Sequence, residues 1–129
     1  MKALLALASI TLPSACAATH SIETHAASAA TDFEHAQKVI IALSNFQVTP
    51  SNIDLVAGKP YLLMLEDTGS GDHDFTAPGE IARVAGGQVE LGGHRKVSIH
   101  LVPAAGEYKL ACTHFGHAML GMTGTITVH

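Results

Sequence analysis

From residue 38 onward the chain keeps one texture, in which short apolar segments are separated by Gly, Pro, Asn, Asp or Ser. The segments are KVIIAL, NFQVTP, NIDLVAGKP, PYLLMLEDTG, HDFTAPG, RKVSIHLV, GEYKLAC and GTITVH. Short apolar segments bounded by turn residues read as strands, and their spacing of about ten residues predicts an all-β sandwich. The stretch EIARVAGGQVELGGH breaks the pattern and is taken as a connection, with room for a short helix or flap before its Gly-Gly turns. Residues 18–36, rich in Ala, Thr, Ser and His and without apolar periodicity, predict a flexible leader.

Residues 1–17, MKALLALASITLPSACA, have a different character: Lys2, an apolar run from Ala3 to Leu12, and the small residues Ala15 and Ala17 in an A-x-A arrangement. This is the pattern of a secretory signal, and Pro13 and Ser14 end the run well short of a membrane span. The expected organisation is a signal at 1–17, a leader at 18–36 and one β domain at 37–129. The protein is then exported, to the periplasm or cell envelope. A membrane contact is expected only through a lipid anchor at Cys16, and a free Ala18 terminus is the favoured product because Pro13 suits a lipobox poorly. With Lys2 removed, the formal charge of −4 becomes −5. That balance disfavours nucleic acid, whose phosphates would be repelled.

Of the two cysteines, Cys16 and Cys112, only Cys112 lies in the domain. A disulfide framework is therefore excluded, and a lone thiol in an oxidising compartment calls for protection that a metal bond provides. Strand parity locates its neighbours. Tyr108, Leu110 and Cys112 share one face, Met122 has the parity of Ile126 and Val128, and His73 that of Phe75 and Ala77, with Asp72, Asp74 and Thr76 on the opposite face. His117 sits in the loop 113–121 between the Cys and Met strands, which can curl back over the end of the sandwich. His73, Cys112, His117 and Met122 are thus the candidate ligands of one metal ion.

Two imidazoles, a thiolate and a thioether suit copper as Cu(I) and Cu(II). Zinc is the competitor, and the thioether of Met122 tells against it. His100 is expected to face solvent, Met119 to lie at the rim, and His25, His35, His94 and His129 to be bystanders. Cleavage after Ala17 would place His20 third from the new amino terminus, a geometry able to chelate Cu(II), although an inert tail is the plainer reading.

The segment CTHFGHAMLGMTGTITV, with the upstream FQVTPSNIDLVAGKPYLLMLEDTGSGDHDFTAPG, resembles the cupredoxins, the small blue (type 1) copper proteins, over about residues 39–128. The four-residue intervals between Cys112, His117 and Met122 are similar to those of rusticyanin and sulfocyanin. The resemblance implies a Greek-key β-sandwich, with His73 matching the family's upstream ligand and the other three its closing loop. Three positions depart from the family: Phe115 stands where many relatives have Pro, His114 follows two residues after the cysteine, and Asp74 replaces an Asn or Ser beside the first histidine.

The resemblance further implies a single-electron carrier working between redox partner proteins, with the edge of His117 as the exit and Ala118, Met119 and Leu120 as a docking patch. The alternative is a copper-binding or delivery protein of metal homeostasis. An enzyme is not expected, because relatives that catalyse need further copper sites, usually His-x-His pairs, and this chain has none.

Overall fold

The computed structural model describes residues 20–23, for which only the backbone course is given, together with 31–77 and 88–129. The signal at 1–17 and most of the connection after Gly79 lie outside the described residues. Within them the regular structure is strand throughout, apart from one 3-10 turn at Ala118–Leu120.

Two sheets make the sandwich. One has the order β1-β8-β5-β2-β3, built from β1 (His20–Glu23), β2 (Gln37–Ser44), β3 (Gln47–Thr49), β5 (Tyr61–Asp67) and β8 (Lys96–Leu101). The other has the order β4-β10-β9, built from β4 (Asn52–Leu55), β9 (Gly106–Ala111) and β10 (Thr123–Val128). A ribbon of β6 (Asp74–Phe75) and β7 (Val89–Glu90) lies beside them, and a bridge between Thr76 and Ala111 ties it to β9. The expected all-β sandwich is therefore present.

Alternation of inward and outward side chains along the strands closes the core. In β5, Tyr61, Leu63 and Leu65 point inward and are buried, while Leu62, Met64 and Glu66 between them are only partly covered. They meet Ile41 and Leu43 of β2, Val97, Ile99 and Leu101 of β8, and, from the facing sheet, Ile53, Leu55, Leu110, Ile126 and Val128. Each such fully buried side chain contributes about 1.5–3 kcal/mol. The inward face of β5 ends on Asp67, which is also buried, so at this end the apolar core gives way to polar groups.

Two local readings change. His20–Glu23, inside the stretch expected to be a flexible leader, runs parallel to β8 with His20 opposite Val97 and Glu23 opposite His100. His100, expected to face solvent, is half-covered because the Phe33 ring stacks on it at 4.6 Å. Both differences come from the chain ahead of β2 lying against β8, a long-range contact that local patterning does not encode.

The junction of β4 and β10 depends on Gly124. A β-carbon there would come within 2.5 Å of the Ser51 carbonyl oxygen and 3.0 Å of Leu110 Cδ1. That same carbonyl accepts the Thr125 N–H at 2.7 Å, so it has no freedom to retreat. Gly124→Ala is expected to destabilise the metal-free protein by about 1–3 kcal/mol, read as a lower urea midpoint with little change in slope.

Candidate metal centre

The end of the sandwich where β5 stops carries the site. His73 precedes β6, Cys112 follows β9, Met122 precedes β10, and His117 opens the 3-10 turn between the last two. Donor atoms of His73, Cys112 and His117 all lie within 4.8 Å of one another. Cys112 Sγ is 3.4 Å from His117 Nδ1, and the two imidazole rings are 5.3 Å apart. Met122 is fully buried at the same end. Its N–H donates to the His117 carbonyl at 3.1 Å, and its carbonyl accepts from the Cys112 N–H at 3.0 Å.

The ligand loop is closed by its own backbone. The His117 N–H donates to the His114 carbonyl at 3.0 Å, that of Leu120 to the Gly116 and His117 carbonyls, and that of Gly121 to the Ala118 carbonyl. Three residues on the loop's outer surface, Phe115, Met119 and Leu120, are left with their side chains in solvent. Phe46 meets the His117 ring edge-on at 5.1 Å.

The protonation of His73 follows from its neighbours. Asn45 Oδ1 accepts the Ser70 N–H at 3.2 Å while Asn45 Nδ2 donates to Ser70 Oγ, which fixes the amide with its oxygen toward His73. His73 Nε2, 3.2 Å from that oxygen, must then carry the proton. Its Nδ1 is left with a bare lone pair, buried and without a hydrogen-bond partner. Unpaired buried polar atoms are rare in proteins and ask for an explanation. A metal ion accepting that lone pair supplies one, and a buried thiol and a buried thioether complete a donor set that fits it.

Burial and charge act on the donors in opposite senses. Burial holds the His73 imidazole below its ordinary 6.5, although the nearby Asp67 carboxylate pulls it upward. Burial also pushes the Cys112 thiol above its ordinary 9.0; the backbone N–H groups of Asp74 and His114 oppose this, and the charge of Asp74 adds to it. In the metal-free protein the set is therefore a neutral imidazole and a protonated thiol, and taking up a metal releases the thiol proton.

Asp74 is the largest departure from the parity reading. It was expected opposite His73, away from the core, yet both are fully buried. β6 is only two residues long, and the side chain of Asp74 is enclosed by Cys112 and Thr113 at the start of the ligand loop, so both faces are interior. Asp74 Oδ2 accepts the Thr113 N–H at 2.8 Å and the Thr113 hydroxyl at 2.9 Å, and lies 3.7 Å from Cys112 Sγ; Oδ1 accepts the Thr76 hydroxyl at 2.7 Å.

Three further residues serve the site and were not singled out from the sequence: Asn45, Asp67 and Gly69. A β-carbon at Gly69 would fall 2.5 Å from His73 Nε2 and 2.7 Å from Asn45 Oδ1, so only glycine lets the loop pass here. The one sequence signal for Asn45 was its place in the Ser-Asn-Phe turn between two strands. Met119 lies at the rim as expected, and His35 and His129 pair with Asp32 and Asp54 at the surface. The amino-terminal chelate at residues 18–20 falls outside the described side chains.

The cupredoxin-like domain family matches residues 5–128. The chain belongs to that family. Among solved structures it is similar to the dithionite-reduced auracyanin of Roseiflexus castenholzii, at 20% identity over 73% of this chain and 98% of that one, with a TM-score of 0.54. It is likewise similar to auracyanin B (20% identity, 73% and 89% covered, TM-score 0.53). Auracyanin A of Chloroflexus aurantiacus, described as a "blue" copper protein from a green thermophilic photosynthetic bacterium, gives 20% identity, 71% and 99% coverage and a TM-score of 0.54. At this identity the likeness establishes a common fold. No curated protein matches the chain in sequence.

The depressed His73 imidazole has a stability consequence. Above its ordinary 6.5 the ring is neutral in both folded and unfolded chains, and stability is intact. As the pH falls through that value the unfolded chain takes up the proton and the folded one resists it, so stability is lost toward acid. Melting temperature of the metal-free protein against pH is expected to fall below about 6.5, and His73→Leu is expected to flatten that part of the curve.

Proposed function

We propose that the protein is a single-electron carrier of the cell envelope that holds one copper ion between His73, Cys112, His117 and Met122. The observation that carries this reading is the buried, unpartnered Nδ1 of His73 on a ring whose donor lies within 4.8 Å of those of Cys112 and His117. Bound copper supplies a one-electron couple, which a soft His2Cys set with a weak thioether is suited to support.

The residues of the chain supply the rest. His73 offers its lone pair without a change of tautomer, because Asn45 already holds the opposite nitrogen. Cys112 gives up its proton and is gripped through its backbone by Met122. The full burial of His73, Cys112 and Met122 supports retention of the metal, which an electron carrier needs and a delivery protein does not. His117 is the half-open member of the set, and Phe46, Phe115, Met119 and Leu120 offer apolar surface around it against which a redox partner can dock. Export and passage through the envelope rest on the signal pattern of residues 1–17.

The copper-loaded protein is expected to show a strong visible thiolate-to-copper band that bleaches on reduction and returns on oxidation. Cys112→Ser is expected to abolish it while circular dichroism keeps the β signature; an unchanged spectrum rejects the site. Met122→Leu is expected to retain copper and raise the reduction potential in voltammetry, because the oxidised ion loses a donor it uses more than the reduced ion does. An unchanged potential and spectrum would reduce Met122 to packing.

A further inference from the structure

Beside the proposed copper set lies a second group of donors that the electron-carrier reading does not use. His114 Nε2 is 3.2 Å from Glu90 Oε2 and 3.8 Å from Asp74 Oδ2, and the three donor atoms lie within 4.8 Å of one another. Two carboxylates thus converge on one imidazole nitrogen. A single proton on that nitrogen can lie along only one of the two directions, whereas a cation between the three atoms satisfies all of them.

The donors are held in place. Gln88 Nε2 donates both to Glu90 Oε1 at 2.8 Å and to Thr113 Oγ1 at 3.1 Å, and Thr113 in turn donates to Asp74 Oδ2. On the far side of Asp74, Oδ1 accepts the Thr76 hydroxyl at 2.7 Å, so each acid is oriented through the oxygen that does not face His114, the arrangement that fixes the ligands of metal sites. Asp74 Oδ2 also accepts the Thr113 N–H at 2.8 Å and lies 3.7 Å from Cys112 Sγ, so this oxygen stands between the two groups of donors. Glu90 is exposed and His114 half-exposed, so an ion from solvent reaches the group.

We propose that Asp74, Glu90 and His114 form a second metal site, for a divalent cation of the zinc type, sharing a wall with the first. One imidazole and two carboxylates are hard to borderline donors that suit such an ion, and the missing thiolate and thioether separate this set from the first. Zinc bonds of about 2.0–2.2 Å in a tetrahedron put donors roughly 3.3 Å apart. The observed 3.2 and 3.8 Å need only small side-chain movements to meet that spacing. Water fills the remaining position. The cation would offset the charge of Asp74, whose Oδ2 lies 3.7 Å from Cys112 Sγ, coupling its occupancy to the properties of the first site.

The test is zinc binding by wild type, Glu90→Gln and His114→Ala, with bound zinc counted after gel filtration and titrated calorimetrically. It is run on copper-loaded and on metal-free protein, with copper content measured alongside, so a first site that fails to load is told apart from a second site that does not exist. Wild type is expected to bind one zinc more than either variant in both forms, with no loss of copper. In the copper-loaded form zinc is expected to raise the reduction potential of wild type and leave that of Glu90→Gln unmoved. Equal zinc uptake by wild type and both variants, uptake matched by loss of copper, or no binding above background would each overturn the proposal.

Discussion

The Asp74 carboxylate joins the two parts of the chain that build the site. Its residue stands next to His73, and its oxygens hold Thr113, the residue after Cys112, by both backbone and side chain. Hydrogen bonds to a charged group contribute about 1.5–3 kcal/mol each, and a buried carboxylate stripped of them costs more. The bridge between Thr76 and Ala111 repeats the connection two residues further along. Segments nearly forty positions apart in sequence are thereby fixed as one body, and the distances among His73, Cys112 and His117 follow from it.

The rest of the site is an extension of the core by the same alternation. β5 delivers Leu63 and Leu65 inward and then Asp67, β9 delivers Leu110 and then Cys112, and Ile126 and Val128 of β10 are preceded by Met122. Polar and sulfur donors therefore stand on a close-packed apolar base that resists movement. Only the loop carrying His117 is free of that base, and it stiffens itself through hydrogen bonds between its own peptide groups. A centre that is to change charge without changing shape is well served by such a footing.

What could be read in advance was whatever parity and spacing govern. The inward placement of Cys112, Met122 and His73 was legible because each continues the inward face of an apolar run, and the place of His117 because the loop that bears it has a short, specific span. Asp74 was misread by the same rule, since parity assumes one face in water and β6 has neither. Asn45 and Gly69 were legible only as residues of turns. Their roles arise from one turn meeting another, where the relevant distance is between chain segments and no residue pattern within either segment records it. The strand His20–Glu23 was missed for a related reason, because its partner β8 lies far along the chain.

The fixed amide of Asn45 has a kinetic meaning as well. A histidine free to turn can meet an incoming ion with either nitrogen, and such rings commonly flip as a metal arrives. Here the ring is clasped from behind by Asn45 and by the glycine passage at Gly69, and its one bare nitrogen already faces inward. The floor of the site is thus set by the protein's own contacts, and His117 is the half-exposed member of the donor set. The edge proposed to pass electrons is then also the side of the set nearest to solvent, and a partner seated there would cover it.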